Sequence, residues 1–191
     1  MCFYITATLP KRTHIEEITE ILESHQMKFS EIDNQKVKSQ LRLGELYFRL
    51  TKDYCDCDTI LGSLNSLQEY QTLAKSKKAK GLKKKKWTDE QINDWIKEKL
   101  KNSEKDPNKR YTPTEMNLRL SRWTNFLHEL LDKKKVSRIG LLKHWYVRGL
   151  EEEEIKIAKT EQIGIMQVNS DLLLHLSEDI LYEFLPIYDF N

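Results

Sequence analysis

The sequence predicts an α+β fold that opens as a ferredoxin-like, split βαβ unit, carries an antiparallel or mixed sheet, and closes with a helix. Strand and helix patterns follow each other at the amino end, and alternation with a period of two returns after residue 136. With only 6 Gly and 4 Pro in 191 residues, a loop-rich all-β architecture is disfavoured. We expect a single domain over 1–191, with a helical, lysine-rich insertion over 60–136.

Two clear strands, a helix and, between the helix and the last strand, a short strand around Lys28–Ile32 are predicted in the first fifty residues. "CFYITATL" alternates, with Phe3, Ile5, Ala7 and Leu9 on one face. Thr13 and Glu16 have the spacing of a capping box and predict a helix start. After Gly44, "ELYFRLT" alternates again. In a split βαβ unit the first strand lies antiparallel beside the third, so Cys2 is expected near the "YCDCD" segment that follows.

The middle of the chain predicts helices separated by a basic loop. Thr59 is a candidate cap for a helix that begins near Ile60, and further capped helices are expected from Thr88 and Thr112. Between them, eight of the twelve residues of "KSKKAKGLKKKK" are lysine. Because like charges repel and Gly81 weakens a helix, this stretch is expected to be a mobile loop.

Two strands and a closing helix are predicted at the carboxyl end. "RIGLLKHWYVRG" and "EIKIAKTEQIGIMQV" read as two strands that lie antiparallel to each other. "NSDLLLHLSEDILYEFL" follows and is interpreted as a helix. The residues expected to face inward from that helix are Leu172, Leu173, Leu176, Ile180 and Phe184.

Charge and composition limit the classes of protein to be considered. The formal net charge is +2, but residues 75–110 hold 14 Lys and Arg against 6 Asp and Glu. Nothing in the sequence predicts a membrane span or a secretory signal. Three cysteines and no sign of export favour a reducing compartment, so we expect a cytoplasmic protein with no membrane partner.

A thiol and carboxylate site is the first functional hypothesis. Cys55 and Cys57 are two residues apart on an extended segment, so both side chains point the same way, and Cys2 would be a third thiol. Zinc is the metal that such thiols suggest, although it requires a fourth ligand. The flanking residues Asp56, Asp58 and Thr59 are candidates for binding a small polar ligand. Ordinary reduced cysteines are the alternative interpretation.

An N-terminal nucleophile is the second hypothesis. The opening "MC" followed by a strand resembles the N-terminal-nucleophile hydrolases, which include glutamine amidotransferase domains. The resemblance covers about five residues, and it implies that Cys2, once Met1 is removed, acts as the nucleophile with its own α-amine as base. The protein would then be an N-terminal-cysteine amidohydrolase.

Nucleic-acid binding through the lysine-rich region, residues 75–110, is the third hypothesis. Clustered ammonium groups attract phosphates without reading sequence, and a neighbouring tryptophan stacks on bases. "KKWTDEQINDWI" is similar to the opening of Myb/SANT-type helices, which implies the same class of partner. A solvated surface is the alternative. The candidate residues are Lys77, Lys78, Lys80, Lys83, Lys84, Lys85, Lys86 and Trp87.

No further motif assigns an activity. The sequence contains no Gly-rich phosphate loop, no GxSxG elbow and no HExxH pair. The junction of Cys2 with Cys55–Thr59 is the preferred site, because strand ends hold side chains rigidly.

Overall fold

The protein is α+β, as the sequence predicts. The computed structural model describes residues 2–50, 55–56, 59–62, 73–74, 77–104, 112–132 and 135–186. The chain divides into two compact units, one made of Met1–Ser63 with Met116–Asn191 and one of Leu64–Glu115. No helix within the described residues has the length and apolar character that crossing a membrane requires.

In the described part of the larger unit, six strands form one mixed sheet. The strands are β1 (Cys2–Pro10), β2 (Ser30–Glu31), β3 (Glu45–Arg49), β4 (Ile139–Tyr146), β5 (Lys159–Gly164) and β6 (Ile180–Leu185). Their order is β2-β3-β1-β4-β6-β5; β5 and β6 are parallel, and the other neighbours are antiparallel. β1 is therefore an inner strand that lies antiparallel beside β3, which is the pairing expected from the sequence.

The described helices differ widely in length. They are α1 (Ile15–Ser24), α2 (Gln35–Lys38), α3 (Lys77–Lys84), α4 (Asp89–Glu104), α5 (Pro113–Asp132) and α6 (Ser170–Leu174), with a short 3-10 helix at Ile165–Gln167. The predicted caps of α4 and α5 are confirmed, since the hydroxyls of Thr88 and Thr112 accept hydrogen bonds from the backbone N–H of the third helical residue, Gln91 in α4 and Glu115 in α5. The predicted cap of α1 is wrong, because His14 is its N-cap and makes no side-chain cap bond.

Both faces of β1 are buried. Phe3, Ile5, Ala7 and Leu9 are buried on one face, as predicted, and the alternate residues Thr6 and Thr8 are also buried. On the threonine side an apolar cluster includes residues from α2, β3, β4 and the segment after β4. The buried residues of this cluster are Ile32, Val37, Tyr47, Leu142, Tyr146, Ile155 and Leu181.

A pair of tyrosines fixes the centre of that cluster. The hydroxyls of Tyr47 and Tyr146 lie 2.6 Å apart, so each buried O–H group has a partner. Burial raises the pKa of Tyr47 to about 12, while hydrogen bonds from Thr6 and Tyr146 act in the opposite direction. Both hydroxyls therefore remain protonated at neutral pH.

The lysine-rich stretch expected to be a mobile loop contains a helix instead. α3 covers Lys77–Lys84, and its apolar residues Ala79 and Leu82 pack against Ile92 and Ile96 of α4. This packing outweighs the repulsion between lysines, which point away from the apolar side and are solvated. The helix predicted to begin near Ile60 continues into 63–72, which lies outside the described residues.

The predicted closing helix is also wrong. Only Ser170–Leu174 is helical, and Ile180–Leu185 forms β6, which lies between β4 and β5. Asp179, with a left-handed φ of 63°, separates the two elements. β4 and β5 are therefore not neighbours, although they were expected to pair. An inner strand buried on both faces shows an almost continuous apolar run, which periodicity cannot distinguish from a helix.

Candidate functional site at the amino end of the first strand

Asp56 holds the segment after β3 against the amino end of β1. β3 ends at Arg49, and beyond it Asp56 supplies partners for the backbone of β1. Its backbone N–H donates to the carbonyl of Phe3 over 2.8 Å, and its carboxylate Oδ2 accepts the N–H of Ile5 over 2.8 Å. Asp56 is 0% exposed. These bonds satisfy backbone groups that the end of β3 would leave unpaired.

A tight turn fixes the backbone of Asp56 from the other side. The N–H and the hydroxyl of Thr59 each donate to the carbonyl of Asp56 over 2.9 Å, and the hydroxyl accepts the N–H of Gly62 over 3.1 Å. A Cβ atom at Gly62 would lie 1.8 Å from that carbonyl oxygen, so only glycine fits there. The hydroxyl of Thr59, a predicted ligand contact, is thus engaged by the turn.

The structure brings part of the predicted site together. Cys55 is half-buried beside Asp56, and the backbone of Cys2 pairs with Tyr146 at the start of β1, next to Phe3. The side chain of Cys2, and the residues Cys57 and Asp58, lie outside the described residues. The convergence of the three sulfur atoms therefore remains a prediction.

Lys143 is a residue at this end of β1 that the sequence analysis missed. It is 2% exposed, its Cα pairs with that of Ile5, and its Nζ lies 5.2 Å from the centroid of the Phe3 ring. Burial lowers the pKa of Lys143 to about 8, and the carboxylate of Glu178 acts in the opposite direction. An amine with such a pKa is partly uncharged near neutral pH, when it can act as a base or a nucleophile.

The pattern of β4 held a signal for Lys143. A lysine in a strand is usually read as solvent-facing. Alternation, however, places Lys143 on the face of Leu141, and the other face carries buried Leu142 and Tyr146, so both faces of this strand are apolar. We call the group of Cys2, Cys55–Thr59 and Lys143 the junction site.

Metal ligation at the junction site stays untested. Among the described residues, no group of three or more His, Cys, Asp or Glu side chains could hold a metal ion. Two of the three proposed zinc ligands, the side chain of Cys2 and the residue Cys57, are not among the described groups.

The lysine-rich region presents a basic surface within the unit Leu64–Glu115. Lys78, Lys80 and Lys83–Lys86 are exposed, and Trp87 is 40% exposed. Lys78 lies over the ring of Trp95 with its Nζ 5.8 Å from the centroid. Lys83 forms an ion pair of 3.0 Å with Asp89 at the start of α4. The side chain of Lys77 lies outside the described residues.

A buried ionic network and a cavity lie at the opposite end of β1. Glu45 accepts two hydrogen-bond contacts from Arg138, and Glu183 accepts one from Arg42 over 2.5 Å. Beside this network is a polar cavity of about 390 Å³. Its lining consists of Gln40, Leu41, Arg42, Thr160, Gln162, Leu181 and Glu183. Because each carboxylate has an arginine partner, the network reads as structural.

The chain has no match among the protein-family models, curated proteins and solved structures with which it was compared. What the junction site binds is therefore inferred from its own residues and their geometry.

Proposed function

We propose that the protein binds a small polar ligand at the junction site and that this site has the groups for catalysis. The single observation that carries the proposal is the pair of 2.8 Å hydrogen bonds that hold Asp56 against Phe3 and Ile5. They fix the start of the thiol-bearing segment beside the strand that begins at Cys2. A site on a strand end anchored in this way is pre-organised.

Lys143 gives the proposed site its chemistry. Because burial lowers the pKa of this amine, a part of it is uncharged near neutral pH and can accept a proton from a thiol or from a ligand. The thiolate formed in this way is the reactive form of cysteine. With Cys2 as the nucleophile and its own α-amine as the base, the site would act as an N-terminal-cysteine amidohydrolase; with three thiolates it would bind zinc instead.

Oxidative cross-linking tests the geometry of the junction site. Treatment with diamide is expected to join Cys2 to Cys55 or Cys57, since a disulfide forms only when the Cα atoms lie within about 7 Å. The matched control is the double variant Cys2→Ser, Ser39→Cys, which moves the thiol to an exposed residue at the end of α2. Peptide mapping that finds no disulfide to Cys2 in the wild type would refute the proposed site.

Two measurements separate the chemical versions of the site. Zinc analysis of protein purified without added metal is expected to give about one zinc per chain if thiolates bind it, and less in Cys57→Ser. Intact mass shows whether Met1 is removed, and its retention would exclude Cys2 as an N-terminal nucleophile. Zinc far below one per chain excludes the metal version and leaves the ligand version standing.

Nucleic-acid binding is the second candidate function. It is favoured by the exposed lysines of α3 and the following turn, together with exposed Trp87. These groups are not buried by the small core of Ala79, Ile92 and Ile96, so phosphates can reach them. Lysine without arginine predicts binding that is salt-dependent and indifferent to sequence.

Fluorescence anisotropy with labelled single- and double-stranded DNA tests this candidate. The variant Lys84→Gln, Lys85→Gln, Lys86→Gln is expected to weaken binding and to reduce the slope of log K against log salt by about 3 for double-stranded DNA. The matched control replaces three exposed lysines of the other unit, Lys11, Lys28 and Lys156, with glutamine. Equal losses in both variants, or binding without salt dependence, would contradict a specific role for the lysine-rich region.

The ferredoxin-like strand path and the cellular location are further proposals. We infer that the first four strands follow a ferredoxin-like path, which the neighbour order β2-β3-β1-β4 supports, with α1 and α5 as the connecting helices. Of the segment 60–136 predicted as an insertion, the part that precedes α5 would then be inserted in this path. A cytoplasmic location is also part of the proposal, because the thiols act in their reduced form.

A further inference from the structure

Arg49 carries buried hydrogen-bond donors that no described residue accepts. It ends β3 as a half-buried residue, and its guanidinium carbon lies 5.6 Å from the centroid of the Tyr4 ring. Its Nε and Nη2 atoms are both buried, and neither has a hydrogen-bond partner within the described part of the chain. An unpaired buried donor destabilises a protein by about 1–3 kcal/mol, and more when it is charged.

The two unpaired atoms lie on one edge of the guanidinium. Nε and Nη2 point in parallel directions, which is the geometry that donates two hydrogen bonds to a carboxylate or a phosphate. Arg138 uses the same edge in this chain, because its Nε and Nη2 lie 2.7 and 2.6 Å from the Oε1 atom of Glu45. Arg49 offers the same edge without a described carboxylate.

Of the two basic side chains beside Tyr4, His144 has carboxylates close by and Arg49 has none among the described residues. On the neighbouring strand β4, His144 pairs with Tyr4 and has two carboxylates close to its ring nitrogens. Asp179 lies 2.5 Å from Nδ1, and Glu153 lies 3.9 Å from Nε2. Carboxylates therefore lie beside His144, whereas none of the described carboxylates pairs with Arg49, whose guanidinium lies over the ring of Tyr4.

We propose that Arg49 binds the oxyanion of a small ligand, a carboxylate or a phosphate, through its Nε–Nη2 edge above Tyr4. Arg49 and Tyr4 lie on the face of the sheet opposite to Phe3 and Lys143, so this site does not use the amine of Lys143. Both nitrogens are buried, so an anion bound to them is shielded from water. The desolvated pair is then stronger than an exposed ion pair.

NMR of the wild-type protein tests this site directly. Inorganic phosphate and acetate are titrated in separate arms at constant ionic strength, with chloride as the reference anion. The Nε–H signal of Arg49, assigned with Arg49→Lys, is expected to shift and saturate in one or both arms, and the arm that responds identifies the class of oxyanion. No saturable shift in either arm would mean that only water meets this edge, and would overturn the proposal.

Thermal unfolding supplies the second readout. The anion that binds is expected to raise the Tm of the wild type, because a ligand that binds only the folded state stabilises it. Arg49→Gln is expected to lose this increase, and the matched control Arg12→Gln, at an exposed arginine, is expected to keep it. An increase of equal size in Arg49→Gln would place the anion elsewhere and refute the assignment.

Discussion

Replacing Lys143 with methionine keeps most of the apolar stem of the buried side chain and removes its charge. Burial lowers the pKa of this amine from 10.5 to about 8 in the folded protein, so the charged form opposes folding. One pKa unit corresponds to about 1.4 kcal/mol, and the difference between 10.5 and about 8 therefore corresponds to about 3 kcal/mol.

The pH dependence of this effect has a definite sign. Below about pH 8 the amine is protonated in both the folded and the unfolded chain, so the unfavourable contribution is fully present. Between about pH 8 and about 10.5 the folded protein has released the proton while the unfolded chain keeps it, and stability rises with pH. Lys143→Met lacks this contribution, so its stability relative to the wild type should fall by about 3 kcal/mol across that range.

Urea unfolding followed by tryptophan fluorescence measures the difference at several pH values. Other titrating groups cancel when the variant is compared with the wild type at each pH. Lys156→Met, at an exposed lysine, is the matched control for the substitution itself. If the difference between Lys143→Met and the wild type is the same at about pH 7 and about pH 10, burial does not perturb this amine, and its proposed role as a base fails.

Three further substitutions test the packing that supports the site, each by urea unfolding. Gly62→Ala is expected to lose about 2 kcal/mol, since its Cβ would meet the carbonyl of Asp56; a neutral effect would contradict the tight turn. Arg138→Met is expected to lower the free energy of unfolding by about 3 kcal/mol, because the charge of Glu45 would stay buried without its main partner. An unchanged urea midpoint would show that the network of Glu45, Glu183 and their arginines does not stabilise the fold. Ile96→Ala should lose about 3 kcal/mol of the stability of the unit Leu64–Glu115, measured as the loss of its helical signal at a lower urea concentration. An unchanged urea midpoint would contradict a shared core of α3 and α4.

The elements that depend on patterns of a few neighbouring residues were predicted correctly from the sequence. β1 and β3 alternate clearly, and the capped starts of α4 and α5 depend on residues three apart. The lysines of α3 misled the prediction, because the contacts of Ala79 and Leu82 with the next helix outweigh the local charge repulsion. β6 was read as a helix because a strand buried on both faces lacks alternation.

The sequence likewise predicted one part of the candidate site and missed another. The expectation that the chain after β3 returns to the amino end of β1 came from strand order, and the bonds of Asp56 to Phe3 and Ile5 agree with it. Lys143 was missed because its burial depends on β1 and on the segment at Glu178, which are distant in sequence. That two donors of Arg49 lack a partner among the described residues could not be predicted either, because this depends on which residues folding places around the guanidinium.

The sequence by itself determined the class of fold, the strands β1 and β3 and the accumulation of lysine in one region, because hydrophobic periodicity and composition are local properties. Only the tertiary structure decided that β6 is an inner strand, that Lys143 is buried and that Arg49 lies over Tyr4. The physical reason is that burial and hydrogen-bond partners come from strands far apart along the chain, and the free energy of a charged side chain depends on those neighbours more than on its own residue type.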